Sequence, residues 1–285
     1  MAALAMGSNF PSELSREIFS KVRGKSSLAK LSAQEPVAFT GTDVFTFDFD
    51  HKVSVVGENA PKVEGGASIT PVQMKPVKVE YGARVSDEFM YASEERQLEI
   101  LSAFVDGFAK KLAQGFDEMA LHGVNPYTGT ASAIIGTNNL DSKATAVSGA
   151  TNIESGMATA AQTITNYTIN GVILSKAAGA ELGALKENGV SVYPQLKWGG
   201  EIDEINGLRA DVNITADASN PVAYTGDFDA FKWGFARDIF TKVIEYGDPD
   251  NTGVDLAGSN QVYLRCEAYI GWGIMDGAAF AKVTE

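Results

Sequence analysis

The side chains that most often perform chemistry are scarce in this sequence. Among 285 residues there are two histidines, His51 and His122, and one cysteine, Cys266. A single cysteine allows no internal disulfide and no cysteine metal cluster. Without a histidine pair, zinc sites and Cys–His nucleophilic chemistry are excluded as well. His51 borders a strand-like segment and His122 ends a helix-like one, so each reads as a surface or helix-capping residue. Cys266 falls on the apolar face of an alternating segment, the place of a small buried hydrophobe rather than a reactive thiol. Asp248-Pro249-Asp250-Asn251-Thr252-Gly253 begins like a calcium loop. Ser259 stands where a bidentate glutamate is needed and no helix precedes the run, so it reads as a tight turn. The sequence contains no nucleotide phosphate loop, dinucleotide fingerprint or nucleophile elbow. No catalytic residue, metal or cofactor is expected.

Composition points the same way. The chain is 45% hydrophobic and 21% charged, enough apolar material for a sizeable core. No apolar run is long enough to span a bilayer, and MAALAMGSNF lacks the basic-then-apolar layout of a secretion signal. Synthesis in the cytosol is expected, which makes the Asn166 and Asn213 glycosylation patterns chance matches. Net charge is −13, yet residues 1–30 carry +3, leaving −16 on residues 31–285. So acidic a body repels phosphate and is no dedicated nucleic-acid binder. The basic start, with Arg16, Arg23 and Lys25, fits a strap against an acidic neighbour or a solvated amphipathic end.

Periodicity supplies the elements. Leu14, Ile18, Phe19 and Val22 have helical spacing within an otherwise extended arm. Phe45, Phe47 and Phe49 alternate with polar residues, as do Val77, Val79, Tyr81, Ala83 and Val85; both segments read as strands with one apolar face. The Gly- and Pro-rich stretch between them is too long for an ordinary hairpin loop; it reads as functional, disordered or ordered by a neighbour, the first sign of an element that needs partners. From Glu94 to His122, Leu98, Leu101, Val105, Phe108, Leu112, Phe116 and Met119 recur every three or four residues. That predicts a helix roughly 40 Å long, stopped by Gly123. Gly107 and Gly115 weaken it by roughly 1 kcal/mol each relative to alanine, and imply close packing or a bend. A helix over 153–164, the strand Val172-Ile173-Leu174 and a Ser175-capped helix closed by Gly189 give the middle an α/β rhythm. Short strands are expected at 190–193 and 208–214, a strand over 231–246, and an unbroken alternation from Val262 to Ile274. On the polar face of that last strand, Arg265 and Glu267 suggest a salt bridge to another element. Trp198 and Trp233 are expected in the core, with interface anchoring as the other reading.

In order these elements are a basic arm, a long β excursion, a long helix, a small α/β region and a β hairpin with an extended tip. That order resembles the major capsid proteins of tailed double-stranded DNA phages, with the α+β fold named for phage Hong Kong 97. Residues 1–33 resemble the N-arm, 34–84 the E-loop, 85–149 the P-domain with its spine helix, and 150–228 the A-domain. Residues 229–285 resemble the P-domain sheet with its P-loop and closing strands. Local phrases agree: VILSKAAGAELGALKENGVSVY is similar to the A-domain strand and helix, and QVYLRCEAYIGWGIMDGAAFAKV to the closing strands. EINGLRADVN departs from the family, with Arg209-Ala210 where Pro-Val is usual. The resemblance implies a non-enzymatic subunit of an icosahedral shell that self-assembles into hexamers and pentamers. Its implied partners are a separate scaffolding protein, a portal, a possible decoration protein and packaged DNA contacted without specificity; no membrane is involved. An encapsulin nanocompartment of the same fold is the alternative. A monomeric hydrolase lacks a convergent set of reactive groups, and a secreted β-rich protein fits poorly with the long helix. Arg16, Arg23 and Lys25 are the expected assembly contacts, and residues 1–30 are expected to be removable without unfolding the rest.

Some family members weld subunits by an isopeptide bond between an E-loop lysine and a P-domain asparagine, assisted by a glutamate. Lys62, Asn260 and Glu267 are the matching residues here. A lysine made neutral by burial would attack the amide while the glutamate took the proton. The polar, Gly-rich surroundings of Lys62 argue against the dry pocket this needs. Particles boiled in detergent should therefore run as a monomer near 30.2 kDa. A ladder of multimers that Lys62→Ala or Asn260→Ala removes would show that the cross-link forms.

Overall fold

The computed structural model describes residues 21–22, 25–149, 152–216 and 221–284. Helix α1 (Ser27–Leu31) leads into β1 (Ala33–Gln34), the hairpin of β2 (Thr42–Phe49) and β3 (Ala67–Met74), and then β4 (Val77–Ser86). A short α2 (Glu88–Tyr91) precedes the 29-residue α3 (Glu94–His122). The small pair β5 (Val124–Asn125) and β6 (Thr130–Ala131) follows, then α4 (Leu140–Lys143), β7 (Thr145–Ser148) and α5 (Ile153–Thr163). Next come β8 (Gly171–Ser175), α6 (Lys176–Ala184), β9 (Lys186–Glu187), β10 (Val190–Ser191), β11 (Glu204–Ile205) and β12 (Leu208–Asn213). Strand β13 (Pro221–Gly226) leads to the long β14 (Phe231–Ile244) and β15 (Gln261–Ile274), and β16 (Phe280–Thr284) follows.

Two larger sheets organise the described residues. One has the order β1-β14-β15-β4, the other β11-β12-β8-β13-β16-β7. Helix α3 lies under the first. Ser93 caps its start, accepting from the Arg96 amide, and Gly123 ends it at φ 71°, the left-handed conformation that glycine adopts without penalty. Leu101, Val105, Phe108, Leu112, Phe116 and Met119 are all buried, as their spacing predicts, while Leu98 stays exposed. Gly115 lets Pro126 pack closely, whereas among the described residues nothing comes within 4 Å of a Cβ placed on Gly107. Val105, Phe108 and Leu112 meet Cys266 and Ala268 from the inward face of β15. Further along, Phe116 stacks on Phe231, Trp233 and Trp272 at centroid distances of 6.4, 5.5 and 5.8 Å, so Trp233 is a core residue as expected.

The same core continues into the six-stranded sheet through Ile173, Tyr224 and Phe280. The opposite face of that sheet, with Val172, Leu174, Ala223 and Val283, is covered by Ile153, Ala160, Ala178 and Leu182 of α5 and α6. Strand β8 is therefore buried throughout, which its continuous apolar run foretells.

Several expectations give way. Helix α6 ends at Ala184, not near Gly189. Asn188 and Gly189, at φ 50° and 85°, instead form a tight turn joining β9 to β10, the geometry that an Asn-Gly pair favours. Strand β3 lies inside the stretch expected to be irregular. Strands β7 and β16 pair with each other in the six-stranded sheet, so that sheet draws on segments either side of the expected boundaries at 149 and 229.

The N-terminal segment differs most. Leu14, Ile18 and Phe19 lie outside the described residues. Val22, Leu28, Ala29 and Leu31 are buried in the core. Asp117, wholly buried on α3, accepts from Ser26 Oγ at 2.6 Å, Ser27 N at 3.0 Å, Leu28 N at 3.3 Å and Asn213 Nδ2 at 2.7 Å. One carboxylate thus caps α1 and ties it to both α3 and β12. The next strand passes so close to β14 that a Cβ on Gly234 would fall 1.8 Å from the Glu35 carbonyl oxygen. Removing residues 1–30 would open the core, contrary to the expectation from sequence.

Asp117→Ala leaves donors buried without an acceptor and should cost about 3–5 kcal/mol, read as a lower urea midpoint. Burial pushes the Asp117 carboxyl up to about 6, against the pull of its four donors. The folded chain therefore binds this proton more tightly than the unfolded chain, and the stability it adds grows as pH falls from about 6 to 4. Asp117→Asn cannot take up that proton, so its deficit relative to wild type should widen over the same range. A wild-type midpoint for Asp117→Ala, or a pH-independent deficit for Asp117→Asn, would contradict this account.

Candidate assembly surfaces

The residues with chemical potential are spent on structure. Cys266 is buried at 3.1 Å from Thr241 Oγ1, and burial pushes its thiol up to about 11, where it stays protonated and inert. His122, expected at the surface or capping its helix, is buried: Nδ1 lies 2.8 Å from Asp141 Oδ2 and Nε2 2.6 Å from the Thr215 carbonyl. Tyr224 donates to the same Asp141 at 2.8 Å, so the imidazole joins the end of α3 to α4 and to the six-stranded sheet. Among the described residues no group of histidine, cysteine and carboxylate side chains could hold a metal ion.

Unsatisfied surface is concentrated elsewhere. Strands β2 and β3 form an isolated two-stranded ribbon, with Phe45 opposite Pro71, Phe47 opposite Ile69 and Phe49 opposite Ala67. The alternation of β2 predicts this apolar face correctly, but nothing among the described residues covers it. Phe45, Phe47, Phe49 and Ile69 are 60%, 59%, 70% and 56% exposed. An isolated hairpin is marginally stable in water, and covering each ring would contribute about 1.5–3 kcal/mol. Beyond it, Val53 and Val55 are almost fully exposed. His51 fastens the ends of that excursion, its ring nitrogens 2.8 and 2.9 Å from the carbonyl oxygens of Lys52 and Glu64. These two contacts raise its pKa.

The turn between β14 and β15 is different, because it carries its own frame. Arg84 of β4 reaches into it and donates through Nε to Asp250 Oδ2 at 2.9 Å. Its Nη2 donates to Asp248 Oδ1 at 2.8 Å, Thr252 Oγ1 at 2.6 Å and the Val254 carbonyl at 3.0 Å. Asp248 also accepts from the amides of Thr252 and Gly253 at 3.0 and 2.7 Å. A guanidinium thus occupies the centre of the calcium-like run, in keeping with its reading as a tight turn. The Arg84 hydrogen bond holds Asp250 down at about 2. Leu256, fully buried, pins the far side of the turn.

A long helix beneath a sheet, an uncovered apolar ribbon and a self-framed loop describe a building block more than an enzyme. Residues 7–284 match the phage capsid family. This chain belongs to that family. A structure from Mycobacterium phage Ogopogo is 31% identical with a TM-score of 0.76, covering 91% of this chain and 92% of that chain. One from Gordonia phage Cozz is 23% identical at a TM-score of 0.74, covering 91% and 86%. A third, titled as the capsid of an empty GTA particle computed with C5 symmetry, has the same fold at 13% identity and a TM-score of 0.66, covering 91% and 89%. No curated protein sequence matches. The chain is a structural capsid subunit, as the ordered resemblance implies.

The capsid subunit does not bring the three cross-link candidates together by itself. Lys62 is exposed on the excursion beyond the ribbon. Asn260 is exposed in a left-handed position, φ 52°, with its carbonyl accepting from Asp87 N at 3.0 Å. Glu267, seven residues further along β15, is about 23 Å away at strand spacing. Its carboxylate is held by Lys78 at 3.2 Å and Arg265 at 3.0 Å, the salt bridge that its polar face suggests. Of the basic arm, Arg16 and Arg23 lie outside the described residues, and Lys25 is exposed. Trp198, expected in the core, is 89% exposed. Arg84 and Asp117 were not singled out from sequence, where each is one charge among many.

Arg84→Ala should free the β14–β15 turn without unfolding the sheet, seen as faster amide exchange over residues 247–256 with an unchanged circular dichroism spectrum. Because Asp250 is depressed from 3.8 to about 2, its contribution is present above about pH 4 and lost as pH falls towards 2. Wild-type exchange in the turn should accelerate over that window and the variant's should not. Equal protection in both proteins at neutral pH would show that Arg84 does not frame the loop.

Proposed function

We propose that this chain is the major capsid protein of a tailed double-stranded DNA phage, assembling as hexamers and pentamers of an icosahedral shell. The observation that carries this reading is the ribbon of Phe45, Phe47, Phe49 and Ile69. It is a contiguous apolar face of four large side chains, each more than half exposed, the kind of patch that marks a protein–protein contact. In Hong Kong 97 terms β2, β3 and the excursion between them are the E-loop and α3 the spine helix. The β14–β15 turn is the P-loop and the six-stranded sheet the A-domain. The E-loop of one subunit then covers itself on its neighbour, while the P-loop arrives at the contact preformed.

Catalysis forms no part of this role. Glu267 acts as a structural ion-pair partner and the subunits remain without isopeptide bonds. Arg16, Arg23 and Lys25 contact acidic surface on an adjacent subunit, drawn there by the −16 balance of residues 31–285. A separate scaffolding protein, a portal and a decoration protein are the further partners, and packaged DNA touches the shell without specificity. The subunit is made in the host cytoplasm and ends in the virion; among the described residues no helix is long and apolar enough to cross a membrane. An encapsulin shell is the second reading, and the family match favours the virus. Enclosed DNA rather than an enzyme would separate the two.

Expressed alone or with its scaffold, the chain should form rings, tubes or shells under the electron microscope. A stable monomer in sedimentation at every concentration and salt would overturn the assembly role. Phe47→Asp should leave the circular dichroism spectrum unchanged and abolish particles. Truncating residues 1–20, which spares the buried turn at α1, should weaken shells without unfolding the subunit. Normal particles from Phe47→Asp would remove the ribbon from the assembly contact.

A further inference from the structure

The six-stranded sheet carries a second uncovered surface, on the side of α6. A groove of 580 Å³ runs between α6 and the segment 196–201, floored by Gly179, Gly183, Val212 and Ile214. A Cβ on Gly183 would fall 2.9 Å from the Leu196 backbone, so the wall and the helix are held together closely. The charged lining is Lys176, Lys186, Lys197 and a single acid, Glu201. Among the described residues none of these three lysines forms an ion pair, in a chain whose net charge is −13. On the rim stands Trp198, 89% exposed, with the Lys197 ammonium 5.7 Å from its ring centroid. Its chain neighbours Lys197, Gly199 and Gly200 line the groove but the indole does not.

We infer that this groove and Trp198 form a second subunit–subunit contact, in which carboxylates of another copy enter between the three lysines while the indole is covered. The occupant follows from charge. Three lysines gathered on one groove with a single acid, in a chain of net charge −13, complement the acidic surface that another copy presents. The indole suits the same role. Tryptophan is enriched among residues that anchor interfaces, and a cation already over its face adds to the attraction for an anionic partner. This contact rests on the assembly reading yet is distinct from the phenylalanine ribbon, which lies on another sheet.

The test uses the protein's own fluorescence. The chain has three tryptophans, and Trp233 and Trp272 are 0% and 1% exposed, so acrylamide quenching in the folded subunit reports Trp198. Trp198→Phe should remove the quenchable component and confirm the assignment. In shells separated from free subunits by sedimentation, the quenching constant should fall severalfold and the emission shift to the blue. Shells of normal appearance whose Trp198 is quenched as in free subunits would overturn this contact and leave the assembly role standing. The absence of any shells would overturn both. Combining Lys176→Glu, Lys186→Glu and Lys197→Glu should abolish shells or restore their quenching to the free-subunit level; protected Trp198 in normal shells of that variant would overturn the charged half of the contact.

Discussion

A buried carboxylate on one helix determines how the two halves of this subunit meet. Asp117 sits where the long helix passes between the N-terminal turn and strand β12, and both supply its donors. A charge removed from water is costly unless its hydrogen bonds are replaced. The requirement is therefore mutual: the helix needs the turn and the asparagine, and the turn needs the helix to satisfy its first amides. Ser27 and Lys30 extend the joint to Asp211 on the same strand. The aromatic cluster around Phe116 then packs against a geometry already fixed by polar groups, which are less tolerant of misplacement than apolar ones.

The rest of the subunit divides its polar groups in the same spirit. Inside, His122, Asp141 and Tyr224 fasten one end of the helix; at the periphery, Arg84 gathers a loop that has no core of its own. Neither arrangement leaves a reactive group free for a substrate. The apolar face of the ribbon and the cationic groove by α6 stay open to solvent, and both suit other copies of the chain.

Much of this was legible in the sequence. The bounds of α3, the burial of β8 and of one face of β15, and the order of elements follow from periods of 3.6 and 2, which long amphipathic segments display clearly. Periodicity says which side of a strand is apolar but not what lies opposite. The phenylalanines of β2 were read correctly as one face, and only the structure shows that face empty. Strand β3 was missed because ASITPVQM carries a proline and weak alternation, and is a strand by virtue of its pairing with β2. Helix α6 was read too long because alanine, leucine and lysine suit a helix, while the Asn188-Gly189 pair was taken as its end rather than as a turn of its own. Asp117 and Arg84 gave no local signal at all, and Trp198 reads from sequence as a core residue, with interface anchoring as the other reading. Their roles depend on residues some 90 or 165 positions away, or on the lack of a cover.

The ribbon has a consequence for the order of folding. Its strands are joined by 17 residues, so it can close early, whereas β4 must find β15, with Val85 opposite Val262, and β1 must find β14, with Ala33 opposite Lys232. Such distant pairings slow a chain down. During that interval the newly made subunit shows its most adhesive face before its core has closed, when a chance encounter joins two half-folded chains. The three rings proposed to seat on a neighbouring subunit are then a hazard to the chain that carries them. The yield of shells depends on how quickly the core closes relative to how crowded the chains are.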